Sequence, residues 1–317
     1  MFHVNLARYA VRRVLLGVAQ VVAVASLVFV LTEALPGDAA VVLAGDIPDE
    51  ERIAQLRAAL ELDRPAVERW ADWLAGLAHG DLGVSLVSGR PVTGVLADGL
   101  PPTLVLAGLT LLLLVPLAVG AGVIAAVRQG GPLDRALTTV TVGLYSIPEF
   151  ALGVVLVAVF AVRLGWFPPT AVGAPPNLLE QPALLVLPLV VLLARPVCSI
   201  SRLVRAGMVD ALNSGYAAHA RRLGLSPWRV RLAHALPNAL APGVQQLART
   251  TDWLLGGVIV VESVFVIPGL GTLLNDSVSA RDIPVIQALC VVFATTTVVV
   301  NLAADLGAYR LVPGSAR

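Results

Sequence analysis

The chain has 317 residues, 57% of them hydrophobic and 14% charged, with a formal net charge of +1 and a mean hydropathy of +0.84. That much apolar surface exceeds what a soluble core needs and suits a chain solvated by lipid. The near-neutral balance, with every basic residue an arginine, excludes the basic excess of a nucleic-acid binder.

A helix needs roughly 20 mostly apolar residues to cross a bilayer. The first such run, residues 14–35, follows Arg8, Arg12 and Arg13. It is too long for the apolar region of a signal peptide and no convincing small-residue cleavage site follows, so it reads as a retained first transmembrane helix. Residues 36–101 form a long connection with 11 acidic residues against 5 arginines. Within it Ile53, Leu56, Leu60 and then Trp70, Trp73, Leu74 and Leu77 recur among charges, which predicts short amphipathic helices. Its acidity suits either the docking of a delivering protein or a solvated cap.

Five further apolar runs, residues 104–127, 137–162, 183–201, 244–267 and 284–307, bring the predicted spans to six. Arg195-Pro196 interrupts the fourth, which is tolerable because neighbouring helices can satisfy the freed carbonyls. Thirteen arginines fall on one face: Arg8, Arg12, Arg13, Arg128, Arg135, Arg202, Arg205, Arg221, Arg222, Arg229, Arg231, Arg310 and Arg317. The short opposite connections carry only Arg163 and Arg281. The positive-inside rule makes the arginine-rich face and both termini cytoplasmic, and the long loop 36–101 translocates regardless of its charge. Cys198 and Cys290, inside apolar runs, read as small core residues rather than a disulfide or metal site.

The stretch 202–242 is the most informative. Tyr216 to Leu223 is rich in helix formers and stops at Gly224, while Ser226 and Pro227 open a second helix. A short helix, a tight turn and a second helix, studded with arginine, make a rigid knob of the kind that transmits force to a soluble motor.

Here the chain resembles the permease subunits of ABC importers, whose cytoplasmic loop carries E-A-A, three residues, glycine, nine residues and I-x-L-P. Ala218-His219-Ala220, Gly224 and His234-Ala235-Leu236-Pro237 match that spacing without the acidic residue. The resemblance is to the dipeptide, oligopeptide and nickel branch, and to its first, long-loop permease. It also rests on Pro36-Gly37-Asp38, Gly80-Asp81-Leu82-Gly83-Val84-Ser85, Ser146-Ile147-Pro148, Arg163-Leu164-Gly165-Trp166, Val261-Glu262-Ser263-Val264-Phe265 and Pro268-Gly269-Leu270-Gly271. The resemblance implies an all-α integral membrane protein of the type I importer kind, with six transmembrane helices and a short cytoplasmic coupling helix. It divides the chain into a tail and first span (1–35), an extracytoplasmic loop region (36–101) and a permease core (102–317).

By the same resemblance, Tyr216, Ala220, Arg221, Arg222, Gly224, Leu236 and Pro237 couple the permease to the ATPase. The implied partners are a second homologous permease, two ATP-binding cassette ATPases, an extracytoplasmic binding protein and the bilayer. ATP and magnesium would sit on the ATPases. Peptides are the implied cargo, with nickel chelates, glutathione and haem-like compounds as alternatives.

Ionisable residues at membrane depth are functional candidates. They are Glu149 near the middle of the third span, Arg195 in the fourth, and Arg249, Asp252 and Glu262 in the fifth. Arg249 and Asp252 share a helical face and suit an internal pair. Glu262 suits a gate or a fixed structural bond. Arg195, Arg249 and Asp252 depart from the family pattern, and either read the cargo or pair across the interface to the partner permease. Thr297, Asn301 and Asp305 form a stripe that suits helix–helix contact or a pathway.

Other classes fit less well. A secondary transporter would show internal repeats, and none is visible. The four histidines have no metal-ligand spacing, no nucleophile turn is present, and a chain without lysine cannot build a phosphate loop. The expectation is a non-catalytic transport subunit.

Overall fold

The computed structural model describes residues 6–34, 41, 50–59, 63–175 and 177–311. Pro36-Gly37-Asp38, Leu60 and the side chains of Arg8, Arg52, Leu56, Arg249, Asp252, Asp305, Arg310 and Arg317 lie outside the described residues.

The described residues form helices joined by turns and short connections, with one isolated bridge, Val84 to Pro91. Its helices are α1 (Leu6–Glu33), α2 (Glu50–Ala59), α3 (Ala66–Ala78), α4 (Val92–Val127), α5 (Pro132–Ser146) and α6 (Glu149–Leu156), the last prolonged by a π-helical turn, Val157–Arg163. A 3-10 turn, Leu178–Glu180, precedes α7 (Ala183–Asn213) and α8 (Gly215–Arg222). Then α9 (Pro227–Arg229) leads through a π-helical turn, Val230–Ala235, into α10 (Leu236–Phe265), followed by α11 (Leu270–Ala280) and α12 (Ile283–Leu311). Among the described residues four helices (α1, α4, α7 and α12) are long and apolar enough to cross a membrane, and the number is six when each of two bent pairs counts as one span.

One broken pair corrects the expected continuous third span. Between α5 and α6 the axis bends by 107°. Ile147 is extended there, with φ −87° and ψ 127°, as the ring of Pro148 disfavours the helical region for the residue before it. The fifth span likewise stops at Val266, whose φ is +52°, two residues ahead of Pro268. The fourth span differs in the opposite sense. α7 runs through Pro188 and Pro196 without a break and continues twelve residues past the expected end at Ser201. Its apolar window is 56% buried, against 17–22% for the other three long helices. Packing therefore holds what the prolines loosen.

The chain forms two compact units, Met1–Pro101 with Gly269–Arg317, and Pro102–Pro268. In the first, α1 packs along α12, where any side chain on Gly17 would collide with Val298, and Gln287 Nε2 donates to Thr32 Oγ1 at 2.9 Å. The amphipathic helix expected around Trp70 and Trp73 is α3. Trp70 Nε1 donates to Ser26 Oγ at 3.1 Å, Trp73 lies 5.8 Å from Phe29 centre to centre, and Arg69 pairs with Glu33. The Gly83–Ser85 turn is held by buried Asp282, which accepts from Ser85 Oγ and, at 3.1 Å, from the Leu86 N–H.

In the second unit α7 and α10 share the core. Leu185, Val191, Leu192, Leu254, Val258, Val261 and Phe265 fill one part of it, and Ile200, Val204, Met208, Ala235 and Ala239 another. Glycines let the backbones touch. A Cβ on Gly122 of α4 would sit 2.7 Å from Ser201 O of α7, and one on Gly207 of α7 would sit 2.9 Å from Ala239 O of α10. Glu262 is fully buried and accepts from Thr103 Oγ1 at 2.6 Å, tying α10 to α4. Cys198 is buried in this unit.

Candidate functional site

Two groups of residues carry chemistry beyond packing. The first surrounds α8. An eight-residue helix is too short to hold itself together in water, so its ends and one buried stripe must do so. Ser214 is extended, and its Oγ accepts from the Ala217 N–H at 3.4 Å, capping the first turn. At the other end Leu223 and Gly224 return N–H groups to His219 O and Arg221 O. Gly224 has φ +78° with no atom within 4 Å of where a Cβ would stand. The glycine is therefore required by its left-handed backbone and not by crowding.

The inward stripe is Ala217 and Ala220, packed with Val230 and Leu225. Arg221 folds back, its Nε donating to Ala217 O at 3.2 Å and its Nη2 to Leu212 O. It thus fastens α8 to the end of α7. Arg222 is exposed. Tyr216 is 45% exposed, and its hydroxyl accepts from Asn238 Nδ2 at 3.3 Å. Leu236 joins the α7–α10 core while Pro237 stays exposed. The π-helical turn before them, in which the Leu236 N–H reaches back to Arg231 O, shifts the pairing just ahead of a residue with no N–H. The chain so passes Pro237 without a break.

Three large apolar side chains beside α8 were not singled out from sequence: Leu223 is 68% exposed, Trp228 63% and Leu232 43%. A tryptophan inside an arginine-rich knob is a legible signal; its exposure is not.

Upstream, Asp134 and Arg205 form a bidentate pair, Nε to Oδ1 at 2.6 Å and Nη2 to Oδ2 at 2.8 Å, and the Gly130 N–H adds a bond of 2.9 Å. These bonds, the guanidinium's first, hold the Asp134 carboxyl down at about 2. Asp134 lies ahead of the apolar run that begins at Leu137. The pair locks the start of α5 to the extension of α7 that carries α8.

The second group lies at the α5–α6 break. Arg195 Nη1 stands 3.7 Å from Glu149 Oε1, so Arg195 finds a carboxylate within its own chain. Its guanidinium is 5.0 Å from the centre of the Tyr145 ring, and that of Arg202 is 5.1 Å from the same centre. A Cβ on Gly257 would sit 3.4 Å from both Glu149 Oε2 and the Trp253 ring. That glycine leaves room for the carboxylate. Glu262 bonds to Thr103. The side chains of Arg249 and Asp252 lie outside the described residues.

Comparison with known proteins gives one answer over most of the chain. The family described as binding-protein-dependent transport system inner membrane component matches residues 118–317, and its N-terminal companion matches residues 6–107. A probable peptide ABC transporter permease protein, y4tP, of Sinorhizobium fredii is 35% identical, over 96% of this chain and 97% of its own. The glutathione transport system permease protein GsiC of Escherichia coli K12 is 39% identical, over 94% and 95%. Among solved structures, a chain from an amino acid ABC transporter with histidines matches with a TM-score of 0.52 at 18% identity. That match covers 69% of this chain and 94% of the other, and it shows a shared fold.

Proposed function

Because this chain belongs to the family of binding-protein-dependent transport system inner membrane components, we propose that it pairs with a second homologous permease to form the pathway of an ATP-driven importer of di- and oligopeptides. It is a membrane-spanning permease subunit of an ABC transporter. Its arginine-rich face and both termini lie in the cytoplasm, and loop 36–101 meets the delivering binding protein outside. ATP and magnesium are bound by two partner ATPases.

α8 is the coupling helix. Its capped ends make it a rigid body, and Arg221 and the Asp134–Arg205 pair fix it to α7, which is buried deep among α4 and α10. Closure of the ATPases around ATP displaces α8 and, through α7, opens the pathway toward the binding protein. The observation that carries this reading is the exposed apolar surface of Tyr216, Leu223, Trp228 and Leu232 on an arginine-rich knob. Such side chains at a patch's centre mark a protein interface. Tyr216 and Leu223 replaced by cysteine should each form a disulfide with a cysteine in the ATPase groove, at a yield that changes with ATP. Labelling by an impermeant reagent from outside, with no ATPase crosslink, would overturn both the assignment and the topology.

The peptide cargo is supported by the y4tP relative. The GsiC relative favours glutathione as the second reading.

A further inference from the structure

The polar cluster at the α5–α6 break is more than a buried ion pair. Arg195, Arg202 and Glu149 leave one positive charge in excess among these described side chains. The Arg195–Glu149 contact of 3.7 Å is too long for a charge-assisted hydrogen bond, which closes to about 2.7–2.9 Å. The carboxylate lies alongside the guanidinium without saturating its donors. The cluster is also open: the Arg195 side chain is 45% exposed and Tyr145 37%. Arg195 stands twelve residues into α7, roughly 18 Å along a helix that rises 1.5 Å per residue. A guanidinium at that depth faces water or protein, not lipid.

The break itself adds to the case. α6 begins here: Pro148, the residue before it, offers no side-chain cap, Glu149 is its first residue, and the positive end of its dipole lies at the same place. Discontinuous helices whose N-terminal ends meet anionic groups recur in secondary transporters, and the same electrostatics holds at any such break. We propose that Arg195 and Arg202, spread on the Tyr145 ring, form a binding site for the carboxylate of the passing cargo, with Glu149 as the resident competitor that keeps the site weak enough to release. The inference rests on the peptide-importer reading and adds a place and a chemistry to it. Guanidinium forks suit a carboxylate bidentately, and a ring shared by two of them keeps both spread and available.

The test uses the assembled, nucleotide-free importer in nanodiscs of zwitterionic lipid without its binding protein. The probes are radiolabelled alanyl-alanine and its C-terminal amide. Arg195→Gln and Arg202→Gln should each weaken the free acid by about tenfold, the loss of one charge-assisted contact, and should leave the amide unchanged. Arg195→Lys should fall between. Glu149→Gln should bind the acid several-fold more tightly, because it removes the competitor and keeps both arginines. Should Arg195→Gln fail to assemble, Glu149→Gln carries the test alone. The site is overturned by equal losses for acid and amide, by unchanged affinity in Glu149→Gln, or by a wild type that binds no acid. Uptake through the binding protein is measured in parallel. A wild type that imports no peptide sinks the importer reading and the site together, whereas peptide import with acid and amide alike sinks the site alone.

Discussion

α7 and α8 are neighbours separated by Ser214, yet they stay helical for opposite reasons. α7 has 31 residues, two internal prolines and a charged residue at membrane depth, and it remains unbroken. Leu192, Val204 and Met208 are wholly enclosed, and Gly207 brings its backbone against Ala239. α8 has eight residues and buries only two alanines. It depends on Ser214 at one end and Gly224 at the other. In the proposed function α7 is thus the lever, built by packing, and α8 the handle, built by its caps. Damage to the lever should unfold or disassemble the protein while leaving coupling intact in whatever still assembles. Damage to the handle should spare the fold and lose the coupling.

The largest effect is expected inside α7. Met208→Ala empties a fully enclosed site and should cost about 2–5 kcal/mol, seen as early thermal unfolding of the detergent-solubilised complex. Its uptake per ATP should stay at the wild-type ratio. Gly207→Val forces a side chain against the Ala239 backbone, which cannot retreat, and should cost about 1–3 kcal/mol. A Gly207→Val protein of wild-type stability would break the claim that close backbone contact holds α7. Ser214→Ala, on the handle, should cost about 1 kcal/mol of local helix stability. The unfolding temperature should stay unchanged, and faster amide exchange should be confined to residues 215–224.

The last prediction concerns the acid range and the joint between lever and membrane core. Asp134 has its carboxyl depressed from 3.8 to about 2 by Arg205 and the Gly130 N–H, so the folded state favours the ionised form. The stabilisation is full above 3.8 and drains away as pH falls from there to about 2. Asp134→Asn should flatten the acid-unfolding profile over that window. A wild-type slope in Asp134→Asn would show that another group carries it.

The handle was legible in the sequence almost to the residue. Tyr216 to Leu223 with a stop at Gly224 is read from helix formers and a glycine, and Gly215–Arg222 with Gly224 at φ +78° is what forms. The helix carrying Trp70 and Trp73 was legible from its spacing, and the apolar spans from their length. The 107° bend was not, because hydropathy runs unbroken through Ile147-Pro148 and reports composition, not direction. Nor was the reach of α7 past Ser201, where polar residues look like a loop until the Asp134–Arg205 pair is seen. Pairings such as Asp134–Arg205, 71 residues apart, or Ser85–Asp282, 197 apart, leave no periodic trace, since periodicity fixes which face of a helix is buried but not what it meets. Arg195 was visible as a charge out of place; that Glu149 and Tyr145 receive it follows only from the bend.

The central claim is that α8 conveys ATP-driven motion to the pathway, and Gly224→Val tests it most directly. The left-handed φ of +78° at this position costs a residue with a side chain about 1–2 kcal/mol, enough to distort the end of α8 in a site with no steric crowding. In proteoliposomes containing the second permease, both ATPases and the binding protein, peptide uptake and ATP hydrolysis are measured on the same preparation. The account predicts normal membrane insertion and unfolding temperature, with uptake per ATP collapsing or the ATPase failing to assemble. Wild-type uptake and wild-type binding-protein-stimulated hydrolysis in Gly224→Val would contradict it.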